Sequence, residues 1–178
     1  MEDGSNVALV LSKLLQDKEK RRRFLNLSHA LLPFVEDLDV DRFAGESLFV
    51  KLQESYAEDT YLLASLLSDG TIKVVALLIA LYFDDRPVVA FEKPATSLHS
   101  KLISQLMQMM REASEEKQIF LTTHNPELIR HVDLDNICLV SRDADGFSQI
   151  TKPANKKEVR IFLENDLGIE ALFVQNLL

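Results

Sequence analysis

Apolar residues recur at helical spacing over residues 7–32, and the run ends at Pro33, which cannot continue a helix. The period is broken near Asp17, so the pattern predicts two helices joined at that residue. Over residues 38–61 the apolar runs become short and acidic residues are frequent. A single strand at residues 48–52 is predicted in this loop-rich stretch.

Residues 66–150 alternate between helical and strand patterns. The predicted order is a helix from about 68–71 to 83, a strand at 88–92, a helix at 97–113, a strand at 118–122, a short helix opening at Asn125-Pro126, a strand at 137–140 and a hairpin partner at 147–150 across Asp145-Gly146. Strands and helices that alternate with short connections favour a parallel sheet covered by helices, so the predicted fold class is α/β. Residues 156–178 are amphipathic and predict one or two packing helices.

The bulk composition is that of an ordinary globular domain. The chain has 178 residues, of which 47% are apolar and 27% are charged, enough to build one hydrophobic core. We therefore expect a single domain, 1–178, with subregions at 1–61, 62–150 and 151–178. The net charge of −8 argues against a protein that coats nucleic acid without sequence preference. One basic cluster, residues 18–23, runs against this charge; the solvated face of a helix is its first interpretation and a DNA-phosphate contact the alternative.

The sequence favours neither membrane insertion nor disulfide chemistry. The longest apolar stretch, residues 74–83, is about half the length that spans a bilayer, and the N-terminus lacks the layout of a signal peptide. The single cysteine, Cys138, lies in the apolar run 136–140, which predicts a strand and a buried structural thiol. One cysteine forms no intrachain disulfide, in keeping with a reducing compartment. We expect a cytoplasmic protein.

A first candidate site lies where polar residues precede the strongly apolar helix pattern. Ser68, Asp69 or Thr71 can cap this helix, which leaves backbone amides pointing out of its N-terminus. Such a terminus attracts phosphate through its free amides and its dipole, and Gly70 lets an anion approach the backbone. A plain helix cap explains the same residues without any ligand.

Two further candidates follow the predicted parallel strands. Glu92 ends one strand at its carboxyl edge, where open α/β sheets bind ligands and where a phosphate-bound Mg²⁺ needs a carboxylate. His124 follows the next strand, so adjacent strands place both side chains on one edge of the sheet. An imidazole there can hydrogen-bond a γ-phosphate or orient a water. The alternatives are an ordinary acid at a strand exit and a histidine with a surface or capping role.

The order of these motifs resembles the ABC-type ATPase heads of the RecF-like, SMC-like (structural maintenance of chromosomes) and related predicted-ATPase group. In that group a signature opens a long helix, a Walker B strand ends in two acids and a proline, a D-loop follows, and a switch histidine closes the next strand. The matching stretches here are 68–71, 88–94, 95–99 and 122–127, while Gly4-Ser5-Asn6 and 163–172 resemble the ends of the group's C-terminal lobe. The resemblance covers most of the chain.

The resemblance implies a P-loop NTPase fold, ATP and Mg²⁺ as cofactors, and a role for each matching residue. Glu92 takes the magnesium-binding position, His124 the catalytic switch, and Lys93 the position of the family's catalytic glutamate. The other implied nucleotide contacts come from the signature and the D-loop: Ser68, Asp69, Gly70, Thr71, Ser97 and His99.

Two features depart from the group's pattern. No G-x-x-x-x-G-K-[ST] phosphate-binding loop (Walker A) occurs in the sequence, so the chain resembles a C-terminal lobe without its N-terminal lobe. Lys93 replaces the catalytic glutamate, and a charged lysine accepts no proton from the attacking water but can pair with a phosphate. Shifting the register would make Glu92 the catalytic acid, but Phe91 would then occupy the metal position.

Three hypotheses follow for the function. The first is the C-terminal part of an ABC/RecF-like ATPase in DNA repair, chromosome maintenance or anti-phage defence, inactive alone. Its partners are a Walker A lobe, with which it binds ATP and Mg²⁺, a second copy or related chain in a dimer, and DNA as a candidate ligand. The second is a degenerate, non-enzymatic dimerisation or regulatory module that docks on a complete ATPase. The third is a metal-dependent nuclease using Glu92, Asp143 and Asp145, although residues 143–146 also fit a turn.

Overall fold

The computed structural model describes residues 6–43, 47–57, 60–155 and 168–174. The chain divides into two compact units, Met1–Thr122 and Thr123–Leu178. The first unit holds four helices and five strands among its described residues, and the second holds a β-hairpin and two short helices. No helix in the described ranges is long and apolar enough to cross a bilayer.

Two helices, α1 (Val7–Leu15) and α2 (Lys18–Leu31), open the first unit. The carboxylate of Asp17 accepts hydrogen bonds from the amides of Glu19 (2.9 Å) and Lys20 (3.1 Å) and so caps α2. These two charge-assisted bonds, that to Lys20 foremost, hold the pKa of the Asp17 carboxyl below its usual value. The predicted break near Asp17 is confirmed, and the cap is its physical cause.

An antiparallel sheet follows, with the strand order β1 (Val35–Phe43), β2 (Ser47–Glu54) and β3 (Tyr61–Leu63). Only β2 was predicted. In β1, acidic residues, which are depleted in strands, alternate with apolar ones, and a register shift between Val35 and Asp37 breaks the period of two.

Three of the four acids of β1 are paired, with residues of the neighbouring strands and of α2. The Arg21 guanidinium donates to both carboxylate oxygens of Asp37 (2.8 and 2.7 Å), and the Tyr61 hydroxyl donates to the same carboxylate (2.8 Å). Lys51 on β2 pairs with Asp41 at 2.7 Å and Asp39 at 3.6 Å. An acidic segment can therefore form a strand because its partners supply the opposite charges.

The parallel core comprises α3 (Asp69–Tyr82), β4 (Val88–Glu92), α4 (Ser100–Ala113) and β5 (Gln118–Thr122). The strands β4 and β5 pair in parallel, from Val88 opposite Gln118 to Glu92 opposite Thr122. Both strands have the predicted bounds. The helix α4 begins later than predicted because Ser97 has a left-handed backbone, with φ +67°, which a helix does not accommodate.

One hydrophobic core joins α1, α2, β1, β2 and α3. Phe24, Leu38 and Leu78 are fully buried in it, and Phe24 meets Phe83 edge to face at a centroid distance of 5.8 Å. The Lys117 ammonium donates to the carbonyls of Asp84 (2.6 Å) and Ala80 (3.3 Å) near the C-terminus of α3. This contact ties the approach to β5 to the end of α3.

One face of the β4–β5 sheet is uncovered. Its six side chains are all exposed, and we call this surface the open face: Val88, Ala90, Glu92, Gln118, Phe120 and Thr122. Val88 is 50% and Phe120 54% exposed, whereas Val89 on the opposite face is 9% exposed. Parallel sheets are ordinarily covered on both faces, and exposed apolar patches are typical of surfaces that contact another element or protein.

The second unit contains α5 (Pro126–Ile129), the strands β6 (Leu139–Arg142) and β7 (Ser148–Thr151), and α6 (Ile169–Val174), which packs on α5. β6 and β7 form the predicted hairpin, with Gly146 at φ +86°. The expectation that the strand after β5 continues the parallel sheet is wrong, because β6 pairs antiparallel with β7 in a sheet of its own.

Two further expectations concern the second unit. Cys138 is exposed, so the buried thiol predicted for it is wrong; it precedes β6 and lies just after a 3-10 turn at Leu134–Asn136, outside the paired strand. One or two helices were predicted for residues 156–178, but residues 156–167 and 175–178 lie outside the described residues. Between these two ranges the structure describes α6.

Candidate functional site

The signature residues form the N-terminus of α3. Ser68 caps the helix: its hydroxyl accepts from the Thr71 amide at 3.2 Å and lies 2.9 Å from the Thr71 hydroxyl. Ser68 and Asp69 are exposed, and the amides of Asp69 and Gly70 donate to no acceptor in the described part of the chain. The predicted cap is therefore present, and free amides remain at the end of a helix whose dipole favours an anion.

Residues 93–99 form a tight turn after β4, which we call the D-loop turn. The Lys93 amide donates to the Thr122 carbonyl at 3.0 Å, and the Thr96 amide and hydroxyl both donate to the Lys93 carbonyl (3.2 and 3.0 Å). Lys93 and Ser97 have φ values of +47° and +67°, where residues with a Cβ atom are strained. Such strain is typical of functional turns that the surrounding structure holds in place.

The D-loop turn packs directly on the signature helix. A Cβ atom built on Gly70 would lie 2.8 Å from the Ser97 carbonyl oxygen. The Lys73 ammonium, one helical turn further along α3, donates to the Thr96 carbonyl at 3.2 Å. The sequence assigned Gly70 to the approach of an anion, and the structure adds a second reason for glycine at this position.

Glu92 and Lys93 lie at the carboxyl end of β4, and both are exposed. The Glu92 carboxylate makes no hydrogen bond or ion pair with the residues that the structure describes, and neither does the Lys93 ammonium. His99 has a local contact: its Nδ1 accepts a long hydrogen bond, 3.4 Å, from the Lys101 amide and so caps α4.

His124 belongs to the second unit and is exposed. Its neighbours fix the local backbone: the Thr123 hydroxyl accepts from the Asn125 amide at 2.9 Å, and Asn125 caps α5 by accepting from the Glu127 amide at 3.0 Å. The predicted proximity of His124 to Glu92 stays a prediction, because the two residues belong to different units.

Asp143, a candidate ligand in the nuclease hypothesis, is used by its own turn. Its carboxylate accepts from the amides of Phe147 (2.8 Å) and Asp145 (3.0 Å) and from the Gln149 side chain (3.2 Å). These bonds, that to Phe147 foremost, lower the pKa of the Asp143 carboxyl. Within the described ranges, no three His, Cys, Asp or Glu residues are grouped so that they could hold a metal ion. The turn interpretation is therefore favoured over a metal site at Asp143.

Sequence reasoning placed Thr96 in the D-loop stretch 95–99 but assigned neither Thr96 nor Lys73 as a site residue. Their contact joins two motifs that are separated in the sequence, and neither residue type is unusual where it occurs. Only the packing of the D-loop turn on α3 identifies them.

The fold is that of ABC-type ATPase heads within the P-loop NTPases. An SMC head bound to the C-terminal winged-helix domain of ScpA superposes with a TM-score of 0.62 and 18% identity over 90% of this chain and 52% of that one. The Pyrococcus furiosus SMC head bound to the C-terminal domain of ScpA superposes with a TM-score of 0.60 and 20% identity, over 84% of this chain and 41% of that one. A chain from work on ATP-driven dimerization and DNA-stimulated activation of SMC ATPases superposes with a TM-score of 0.60 and 19% identity, over 83% of this chain and 91% of that one.

The family follows from the sequence itself. The family model described as "AAA domain, putative AbiEii toxin, Type IV TA system" matches residues 8–130, and the chain belongs to this family. A curated relative, the uncharacterized protein MJECL43 of Methanocaldococcus jannaschii, is 29% identical over 93 residues. The match covers 51% of this chain and 24% of that protein, so the chain spans about a quarter of that relative's length.

Proposed function

We propose that this chain supplies the signature, Walker B and D-loop half of a composite ATP site, completed by a lobe that carries a Walker A loop. The assembled ATPase acts in DNA repair, chromosome maintenance or anti-phage defence, and the chain alone does not hydrolyse ATP. The observation that carries the proposal is the open face of β4–β5, with Glu92 at its carboxyl end.

The open face has the character of an interior surface. Val88 and Phe120, both at least half exposed, lie on two parallel strands that pair only with each other among the described residues. Parallel strands gain stability when further strands and helices cover them, so a complementary lobe fits this surface.

The residues present fit a nucleotide at the helix terminus. The free amides of Asp69 and Gly70 and the Ser68 hydroxyl would face phosphate oxygens, and the unpaired Glu92 carboxylate would hold Mg²⁺. Bound Mg²⁺ would neutralise charge on the phosphates. In a dimer, this helix terminus would contact the γ-phosphate of ATP held by the opposite subunit. His124 is assigned separately, as a hydrogen-bond partner of a γ-phosphate or as a residue that orients a water.

Lys93 favours nucleotide binding over turnover in such an assembly. Its ammonium is exposed and unpaired among the described residues, so it is suited to pair with a phosphate but not to accept a proton. The same observation favours a second candidate function, a non-enzymatic dimerisation or regulatory module docked on a complete ATPase.

The test is co-expression or fusion with a Walker A-bearing lobe, followed by measurement of ATP binding, turnover and oligomeric state. We expect Mg²⁺-dependent ATP binding, ATP-dependent dimerisation and slow turnover, with Lys93→Glu increasing the turnover. An assembly that neither binds ATP nor dimerises with it overturns the proposal. ATP binding without any gain in Lys93→Glu supports the regulatory module instead.

A matched pair of variants tests the open face. Phe120→Gln removes the aromatic ring of the open face, which is 54% exposed, whereas Phe147→Gln removes a 72%-exposed ring from the hairpin. We expect Phe120→Gln alone to weaken assembly with the Walker A lobe, while both variants keep the helical circular dichroism of the chain. Equal effects of the two variants on assembly would exclude the open face as the contact surface.

A further inference from the structure

A cavity of about 860 Å³ lies between α1, α2 and the end of α3 in the first unit. Four cationic side chains and two acidic ones line it, although the chain as a whole has a net charge of −8. These charged residues are Lys13, Glu19, Lys20, Arg22, Arg23 and Asp85. We call it the basic cavity, because it reverses the charge of the whole chain locally.

The aromatic wall of the basic cavity is held rigidly. Tyr82 and Phe83 form this wall; the Tyr82 hydroxyl donates to the Met109 carbonyl at 3.2 Å, and Phe83 packs edge to face on the fully buried Phe24. The Arg23 guanidinium lies 5.8 Å from the Tyr82 ring centroid and 5.6 Å from that of Phe83. The planar Arg23 guanidinium is thus positioned by cation–π contacts with both rings in the absence of a ligand.

The cations of the basic cavity are unpaired within the described part of the chain. Lys13, Lys20 and Arg22 are exposed and form no salt bridge there. Their neighbour Arg21 is directed elsewhere and binds Asp37. The basic run 18–23 is therefore divided: Arg21 secures the antiparallel sheet, while other members of the run face the cavity.

We propose that the basic cavity binds a segment of single-stranded nucleic acid. Lys13, Lys20 and Arg22 contact backbone phosphates, and the outer face of the Arg23 guanidinium stacks against an unpaired base. Stacking needs a base that is not enclosed in a duplex, which selects a single strand. The volume lies in the upper part of the range of about 300–1,000 Å³ typical of ligand pockets, large enough for a base with its flanking phosphates.

The first test measures the anisotropy of fluorescein-labelled oligo(dT) and oligo(U) with the full chain, as a function of salt and without ATP. Lys20→Ala/Arg22→Ala should weaken binding and lower the slope of log affinity against log salt by about 1.4, since each phosphate contact on a single strand contributes about 0.7. The control, Arg42→Ala/Lys101→Ala, removes two exposed cations outside the cavity and should leave the slope unchanged. Equal losses in the two pairs overturn the proposal.

The second test separates stacking from charge. Arg23→Lys keeps the charge but loses the planar group, so it should weaken binding of oligo(dT) about fivefold or more and leave an abasic strand of equal length unaffected. The same loss for both strands, tighter binding of a duplex, or preferred binding of polyglutamate each overturns the proposal. Because no Walker A lobe or ATP is present, the outcome is independent of the proposed ATP site.

Discussion

The carbonyl oxygen of Ser97 lies 2.8 Å from the position that a Cβ atom would occupy at Gly70. This approach joins the turn after β4 to the first turn of α3, two segments that the sequence presents as separate motifs. A side chain at residue 70 would have to displace the Ser97 carbonyl, because this carbonyl belongs to the backbone of the turn and not to a flexible side chain. The two segments therefore pack as one unit that tolerates only glycine at residue 70 without a shift.

Gly70→Ala tests this unit. The added methyl group must displace the Ser97 carbonyl, and we expect a net loss of about 1–2 kcal/mol, the cost of overpacking less the better helix propensity of alanine. Urea unfolding followed by circular dichroism measures the loss. Ser97→Gly relaxes the left-handed backbone and should restore part of the stability in the double variant; strictly additive effects would show that the two residues are not coupled.

Tyr61 predicts a loss of stability in alkaline solution. Its hydroxyl donates to Asp37, and this hydrogen bond to a carboxylate raises the pKa of Tyr61 above its ordinary value of 10.0. The folded state favours the neutral phenol, so the stabilisation is complete below pH 10 and disappears as the pH rises through the raised pKa. Stability measured between pH 8 and about 11 should therefore decline less steeply in Tyr61→Phe than in the unmodified chain.

Lys51 makes a second contribution that is lost in alkaline solution, because its hydrogen bond to Asp41 raises the pKa of the ammonium above its ordinary value. Lys51→Met is the matched variant that removes this second contribution. If Tyr61→Phe and the unmodified chain decline equally, while Lys51→Met does not, the alkaline transition belongs to the lysine.

Lys117 holds the end of α3 through two carbonyl oxygens. Lys117→Met keeps the length of the side chain but removes the donor, and we expect a loss of about 1–2 kcal/mol, as for a partly exposed charge-assisted hydrogen bond. Chemical denaturation provides the measurement. Lys101→Met, at an exposed site on α4, should change the stability much less; comparable losses would assign the effect to the loss of charge.

Ser28 is a site where a substitution should stabilise the protein. The residue is fully buried in α2, and its hydroxyl has no hydrogen-bond partner among the described residues. Ser28→Ala removes an unpaired polar group and improves helix propensity, so we expect a gain of about 1 kcal/mol. Ser12→Ala on the partly exposed face of α1 offers only the propensity gain; an equal increase in both melting temperatures would refute the burial argument.

The sequence predicted the parallel core well because local signals there agree with the packing. The strands β4 and β5 are short apolar runs between turn residues, and α3 has a cap followed by a continuous apolar helix. In β1 the local signal opposed the outcome. Its acids disfavour a strand, and only the partners Arg21, Tyr61 and Lys51, distant in the sequence, reverse that preference.

The candidate site divides in the same manner. Residue types at motif spacing predicted the cap of α3 and the position of Glu92 at the end of β4, since each signal is contiguous in the sequence; the roles of these residues toward a nucleotide stay a prediction. The basic run 18–23 was visible in the sequence, with a phosphate contact as one interpretation, but the cavity that it lines and the Lys73–Thr96 contact were not predictable, because they depend on how helices and turns meet in space. At Cys138 a local signal was misleading. The apolar run 136–140 suggested a buried strand residue, but the strand begins one residue later and Cys138 is exposed.

The open face has a consequence for the abundance of the protein in cells. Any lobe that covers Val88 and Phe120 binds only the folded chain, so it stabilises that chain by mass action in proportion to its own concentration. Copies in excess of such a lobe would leave these apolar side chains exposed, and proteases and chaperones recognise exposed apolar strands. Under the proposed assembly, degradation of the surplus copies would keep this chain and the Walker A lobe at matched amounts.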